Sequence, residues 1–289
     1  MKVCLACERR FEGSHWSCPR CGRSPAQRGQ YPAFAPDVTD AVEQYDAAFF
    51  QRLAALEPGN YWFEARNRLL VWALQRYFPS ARNFLEVGCG TGFVLAGIRR
   101  ALPGLTLSGA EVFSEALAYA EQRVPGSVLL QMDARHVPFA DEFDVIGAFD
   151  VLEHIEDADV VLAQMFRATR PRGGILLTVP QHPFLWSPVD VHAGHKRRYR
   201  RRDLMGKVRR AGFEVARATS FASLLLPAML VSRLARRSGR HAEDPLPELR
   251  VGRTTNAVLT GILSVERMLI ARGVSFPAGG SLLVVARKR

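Results

Sequence analysis

Three groups of residues in this chain have the types and spacing to do chemistry. Cys4-x-x-Cys7 and Cys18-x-x-Cys21 form two knuckles joined by ten residues. Four thiolates so spaced can surround one tetrahedral ion and close its coordination, as in a structural zinc site. A redox dithiol needs one such pair rather than two. The segment Phe84-Leu85-Glu86-Val87-Gly88-Cys89-Gly90-Thr91-Gly92 is an apolar strand ending in a carboxylate, followed by a turn with three glycines. Glycines allow a tight turn and close approach of a ligand to the main chain. Downstream, Pro180–Arg200 gathers His182, His192, His195, Asp190 and Tyr199 with several arginines. There an imidazole could take a proton from an attacking hydroxyl, and guanidinium groups could grip a phosphate or carboxylate. The bland alternative is a solvated basic edge with capping histidines.

The glycine turn can be read further. Its Gly88-x-Gly90-x-Gly92 spacing departs from the G-x-G-x-x-G of a pyrophosphate-binding turn. Glu86, immediately before it, would repel a pyrophosphate but would favour a ligand carrying an amino group and a sulfonium cation. The alternative is an ordinary strand-to-helix turn.

These groups need elements to position them. Residues 1–24 form the cysteine module, with Phe11 and Trp16 expected to pack across its hairpin, and residues 25–38 read as a linker. A helical pattern runs over Thr39–Leu56 through Val42, Tyr45, Phe49 and Leu53, and Asn60 caps a second helix reaching Phe78. Strands are predicted at Asn83–Val87, Thr106–Val112, Val128–Met132, Phe143–Phe149 and Ile175–Val179. Helices are predicted between them at Gly92–Ala101, Ser114–Arg123 and Asp157–Arg170. That alternation implies a mainly parallel sheet covered on both faces. After a helix near Asp203–Ala211 and a strand at Phe213–Thr219, residues 221–275 read as an inserted helical pair, and Ser281–Arg287 closes the sheet.

The stretch around Gly88 resembles the first motif of class I S-adenosylmethionine-dependent methyltransferases, and further matches follow in the family's order. Glu111, ending the second strand, resembles the ribose-binding acid, with Val112 following it. Asp133-Ala134 resembles the adenine-binding pair after the third strand. Phe143-Asp144-Val145-Ile146 with Asp150-Val151-Leu152-Glu153-His154 resembles the fourth motif, and Arg170-Pro171-Arg172-Gly173-Gly174 the turn before strand five. The similarity covers about residues 60–220 and is nearest to the ubiquinone-biosynthesis-like small-molecule enzymes.

The resemblance implies an α/β fold with a doubly wound, seven-stranded, mainly parallel sheet over residues 39–289. It also implies S-adenosylmethionine held by Arg66, Glu86, Gly88, Cys89, Gly90, Gly92, Glu111, Val112, Asp133, Ala134 and Asp150. Arg66, in a helix that covers the cofactor in some relatives, suits the methionine carboxylate. His154, beside the expected transfer point, and His195 are the candidate catalytic residues. A divalent ion on Asp150, Glu153 and His154 is a minor alternative.

A net charge of +11 and pI near 10.0 point to an acidic partner, without distinguishing nucleic acid, an anionic membrane surface or a phosphorylated acceptor. An apolar content of 48% excludes wholesale disorder. The start MKVCLACERR lacks the core of a secretory signal, so the expectation is cytoplasmic, with contact at the inner face of the membrane as an option. Phe221–Val231, the longest apolar stretch, is too short to span a bilayer. With Arg233, Arg236, Arg237 and Arg240 it suits a membrane interface or lipid-linked acceptor. A second segment places Val258, Leu259, Ile262, Leu263, Leu269 and Ile270 on one face, and burial of the pair as core or homodimer interface is the simpler reading. The expected reaction is methyl transfer, most simply to oxygen, on a small or lipid-linked molecule. The rivals are an RNA methyltransferase and an inactive scaffold. Asp150 is followed by Val151 and Leu152 rather than the Pro-Pro-aromatic of base amino-group methylation, and nucleic acid is the less favoured partner.

Overall fold

Along β5 (Asn83–Val87), Phe84 joins one apolar cluster while Leu85 and Val87 join another. Successive strand residues face opposite sides, so a strand buried on both faces reads as a continuous apolar run. β8 (Phe143–Phe149) and β9 (Thr169–Pro180) repeat the pattern, with Val145 and Leu176 on the first side and Ile146 and Leu177 on the second. The computed structural model describes residues 1–38, 46–236 and 249–289.

β6 (Thr106–Glu111), β7 (Val128–Gln131), β10 (Glu214–Phe221) and β11 (Ser281–Arg287) extend the sheet. Two short strands, β3 (Ala26–Arg28) and β4 (Tyr31–Ala33), close one edge, giving nine strands in the order β10-β11-β9-β8-β5-β6-β7-β4-β3. From β9 to β7 all neighbours are parallel, whereas β11 is antiparallel to both β9 and β10. The expected seven strands are therefore joined by two more. Residues 25–38, expected as a linker, contain this edge hairpin, and Ala33 pairs with Gln131 of β7. Strands of three residues are too short to show alternation. The local signal lies instead in the turn, where Gly29 takes φ +60° between two strands.

One face carries α2 (Tyr61–Tyr77), α3 (Phe93–Ala101) and α4 (Ser114–Arg123), the other α5 (Ala158–Ala168) and α7 (Arg201–Arg210), when helices are numbered from α1 (Ala47–Leu56) and α6 is Pro188–His192. Asn60 Oδ1 accepts from Trp62 N at 3.0 Å and caps α2 as expected. Asp46 caps α1, and the start of the expected first helix, with Val42 and Tyr45, lies outside the described residues. The five residues expected as a turn before strand five belong to β9. Its ladder to β8 steps from Phe143↔Thr169 to Val145↔Gly174, so residues 170–173 still loop out of the pairing.

The insertion between β10 and β11 holds α8 (Leu226–Arg236) and α9 (Arg253–Ala271). α9 lies on α2, burying Leu263, Glu266 and Ile270, and Tyr61 N donates to Asn256 Oδ1 at 2.9 Å. Leu263 and Ile270 of the expected face are buried and Leu259 and Ile262 pack against the same cluster, while Val258 is exposed. Arg237 and Arg240 lie outside the described residues. Among the described residues no helix is long and apolar enough to cross a membrane.

The cysteine module contributes a separate two-stranded sheet, β1 (Lys2–Val3) with β2 (Arg10–Phe11). Trp16 meets this hairpin only through Lys2, whose Nζ lies 4.4 Å from its ring centroid. Its ring meets Phe34 at 4.7 Å and Phe139 at 5.5 Å, both edge-on, so it joins the module to the main sheet.

Candidate active site

The glycine turn joins β5 to α3 at the C-terminal edge of the sheet, where open α/β sheets bind ligands. Gly88 and Gly92 sit there because nothing larger fits. A Cβ on Gly88 would stand 2.4 Å from Val151 Cγ2, and one on Gly92 would stand 2.7 Å from the Ala120 backbone. A Cβ on Gly90 would meet nothing within 4 Å, so the turn is packed on two sides and open on the third. Cys89 points inward, is buried, and burial pushes its thiol well above the usual range.

Two acids flank the opening. Glu86 is buried, its Oε2 has no hydrogen-bond partner, and burial pushes its carboxyl well up, against the pull of Arg66. An orphaned buried carboxylate oxygen is costly unless a donor completes it, and the amino group of a cofactor would do so. Glu111 is also buried, which raises its carboxyl, while its oxygens accept from Gly90 N at 2.9 Å, Val112 N at 2.7 Å and Phe113 N at 3.2 Å. A carboxylate offers about four lone-pair positions, so three are used and one remains for a ribose hydroxyl. Accepting both hydroxyls of a ribose diol would require one backbone bond to yield.

Asp133 lies just past β7, beside the buried Ala134. Burial would raise its carboxyl, but the hydrogen bonds from Arg135 outweigh it and hold it low. Its oxygens accept from Arg135 N at 2.8 Å and Arg135 Nε at 2.9 Å. Arg135 is largely exposed and free to turn aside for an adenine amino group.

Arg66 of α2 reaches Asp150, which follows β8, and the two form an ion pair. Asp150 holds φ +57°, a left-handed conformation that costs a non-glycine residue energy, and Thr178 Oγ1 donates to Asp150 Oδ1 at 3.2 Å. Both expected as cofactor ligands, these two residues are paired with each other, a pairing that sequence spacing does not reveal.

Val151, packed on Gly88, leads into a single 3-10 turn, Leu152–His154. This brings both candidate histidines together. The rings of His154 and His195 lie 4.8 Å apart, edge to face. Burial, with His195 and Lys196 nearby, lowers the His154 pKa to about 4. His195 Nδ1 lies 2.9 Å from Asp190 Oδ1, leaving Nε2 to face Glu153 Oε1 at 4.0 Å. Asp190 is fully buried. That would raise its carboxyl, but His195 and the Arg198 fork, with Nε at 2.7 Å, hold it low. Glu153 is fully buried with neither oxygen hydrogen-bonded, and burial followed by Asp150 pushes it well up. Sequence reasoning gave Asp190 no role, although Ser187-Pro-Val-Asp190 is a helix-start signature. Ser187 N does donate to Asp190 Oδ2 at 2.9 Å at the start of α6, in a segment expected to be loop throughout.

The four Sγ atoms of Cys4, Cys7, Cys18 and Cys21 lie within 4.8 Å of one another, with Cys4–Cys21 and Cys7–Cys18 both at 3.6 Å. Tetrahedral zinc with bonds of about 2.3 Å separates its sulfurs by about 3.8 Å, so the thiols fit one ion. The knuckles match: Glu8 N donates to Cys4 O and Gly22 N to Cys18 O, each at 2.9 Å.

A family model described as a methyltransferase domain matches residues 39–218. A Mycolicibacterium smegmatis protein named for S-adenosylmethionine-dependent methyltransferase activity is 29% identical over 170 residues, 56% of this chain and 63% of that protein. Methyltransferase GfsG of Streptomyces halstedii is 30% identical over 173 residues, 54% of this chain and 62% of its own. The chain thus spans less than two thirds of the length of these curated relatives. Among solved structures, Haemonchus contortus phosphoethanolamine N-methyltransferase 2 bound to S-adenosyl-L-methionine superposes with a TM-score of 0.57 at 18% identity, over 85% of this chain and 58% of that one. That likeness concerns the fold. With the family match covering well over half of its residues, the chain belongs to the class I S-adenosylmethionine-dependent methyltransferases.

Proposed function

We propose that the chain transfers the methyl group of S-adenosylmethionine to a hydroxyl oxygen of a small or lipid-linked acceptor. The observation that carries this reading is the Asp190–His195 pair, with Nδ1 committed to Asp190 at 2.9 Å, in contact with the turn that packs on the cofactor loop. S-adenosylmethionine supplies an electrophilic methyl group. The protein's part is to align the acceptor, exclude water and receive its proton. Asp190 fixes the His195 ring so that Nε2 can take a proton from a hydroxyl. His154, neutral above about pH 4, lines the same space without adding charge. Glu86, Glu111 and Asp133 hold the cofactor, with the Arg66–Asp150 pair opening to give Arg66 to the methionine carboxylate. One zinc on the four cysteines stabilises the N-terminal module, whose closed coordination leaves no position for catalysis.

An amphiphilic acceptor suits the surroundings. Phe184, Trp186 and Val191 are exposed on the segment after β9, beside the basic run Lys196–Arg202. Arginines there would accommodate a phosphorylated or carboxylated acceptor. The test is transfer of labelled methyl from S-adenosylmethionine to a cell lysate split into lipid, RNA and small-metabolite fractions. Label on oxygen in the lipid or metabolite fraction is expected. Label confined to RNA, or to nitrogen or carbon, would overturn the reading. In the labelled fraction, Asp190→Asn should lower kcat about 100-fold while leaving cofactor affinity unchanged.

A further inference from the structure

The edge hairpin that follows the cysteine module and the module itself touch the rest of the chain at the two ends of one segment. At the first, β4 lies beside β7. Phe34 N donates to Gln131 O at 2.8 Å, and the Gln131 side chain accepts from Ala35 N at 3.0 Å and donates to Ala35 O at 2.7 Å. At the second, Val3 N donates to Pro138 O at 2.9 Å, Ala140 N donates to Met1 O at 3.0 Å, and Lys2 bridges Phe139. Trp16 ties the two together, edge-on to Phe34 and Phe139.

Residues 132–138, held between these contacts, contain no helix or strand and carry Asp133 and Ala134. Met132 N donates to Glu111 O at 2.9 Å and Val137 N to Gln164 Oε1 at 3.2 Å, so the segment is anchored to the main domain, and the contacts at its ends restrict what freedom remains. Gln131, fully buried, also donates from Nε2 to Val112 O at 2.9 Å, the carbonyl directly after Glu111. Through Trp16 on Phe34, next to Ala35, the module thus reaches Gln131 and with it both the adenine side and the ribose side of the proposed cofactor site. Two dozen residues with two-residue strands cannot fold on an apolar core of their own, so metal binding would supply most of their folding free energy.

We propose that metal binding at Cys4, Cys7, Cys18 and Cys21 raises cofactor affinity in the same chain, with Trp16 and Gln131 as the positioning residues that carry the coupling. The proposal rests on the reading that S-adenosylmethionine binds between Glu86 and Asp133. A metal-loaded module orders residues 132–138 in advance, and the cofactor then has less to order when it binds. Coupling between binding sites is reciprocal, so the cofactor tightens the metal by the same factor.

The experiment uses the full chain, zinc-loaded, stripped by a chelator under reducing conditions, and reloaded with zinc alone. Calorimetry with S-adenosylmethionine should show affinity falling about fivefold or more on stripping and recovering on reloading. Hydrogen exchange should quicken at 132–138 while β5 and β8 stay protected. Trp16→Ala with zinc retained should shift both readouts the same way. In competition with a chromogenic chelator, the cofactor should slow zinc loss from the wild type more than from Trp16→Ala. Unchanged affinity and exchange in both the stripped chain and Trp16→Ala would overturn the coupling. If stripping unfolds the whole chain, unchanged affinity in zinc-loaded Trp16→Ala overturns it alone. Failure of the zinc-loaded wild type to bind S-adenosylmethionine is a separate result, which removes the cofactor reading and the coupling with it.

Discussion

Glu111, proposed to hold the cofactor, already serves the protein. Its carboxylate ties Gly90, Val112 and Phe113 by their amides, so it shapes the turn before any cofactor arrives. Glu111→Ala should therefore weaken S-adenosylmethionine by about 1–3 kcal/mol through the lost charged hydrogen bond, with a further loss from a loosened Gly90. Glu111→Gln separates the two. It keeps one carbonyl acceptor for the turn but no charge for the ribose, and should fall between wild type and alanine. Calorimetry giving wild-type affinity for Glu111→Ala would remove the residue from the site. This acid was legible in the sequence because it ends a strand in the family's order. Asp190 was not, because its role comes from His195 and Arg198 reaching it across a turn, and the Arg66–Asp150 pair joins residues 84 positions apart.

Elements were legible where a pattern ran long enough to show its period, as in the strands from β5 to β8 and the capped start of α2. They were not where the element is too short or its burial is set by a neighbour. β3 and β4 have three residues each, and α9 buries Glu266, which accepts from Leu224 N at 2.9 Å, within its apolar stripe. The insertion divides on the same line. Leu263 is 4% exposed and faces α2, so Leu263→Ala should destabilise the chain by about 2–5 kcal/mol, read by denaturant unfolding. Outward, Val258, Val265 and Met268 of α9 and Leu230 and Val231 of α8 remain exposed. If this surface meets a membrane, each nearby arginine adds about 1 kcal/mol of attraction to anionic lipid. Sedimentation with anionic vesicles should then occur at low salt, weaken at high salt, and be lost when Arg233, Arg236, Arg237 and Arg240 become glutamine. A folded chain that ignores such vesicles at low salt would leave the outward surface to a second copy, testable by whether Val231→Glu changes the sedimentation coefficient.

The stability of the molecule as a whole should carry the signature of the carboxyl and imidazole groups it buries beside the site. Glu153 is fully buried and held well above the usual carboxylate range by burial and Asp150, while His154 is lowered to about 4. As pH falls from about 6.5 to about 4, the unfolded chain takes up a proton at His154 that the native state refuses, so His154 lowers stability toward acid. Glu153 acts in the opposite sense. Above about pH 4.5 the unfolded chain releases a proton that the native carboxyl keeps, so stability declines as pH rises. Between these limits the two contributions oppose each other. Above about pH 6.5 that of His154 is complete and Glu153 still acts. Glu153→Gln keeps the shape and removes the proton, so it should be more stable than wild type from neutral pH upward. The gap should widen by at most about 1.4 kcal/mol per pH unit until the native carboxyl itself ionises. Denaturant unfolding of both proteins from neutral pH upward measures the gap. Parallel stability profiles would show that Glu153 is ionised in the native protein. The variant's activity is the second readout: a chain made more stable and less active by one isosteric change identifies a protonatable carboxyl kept for function at the expense of the fold.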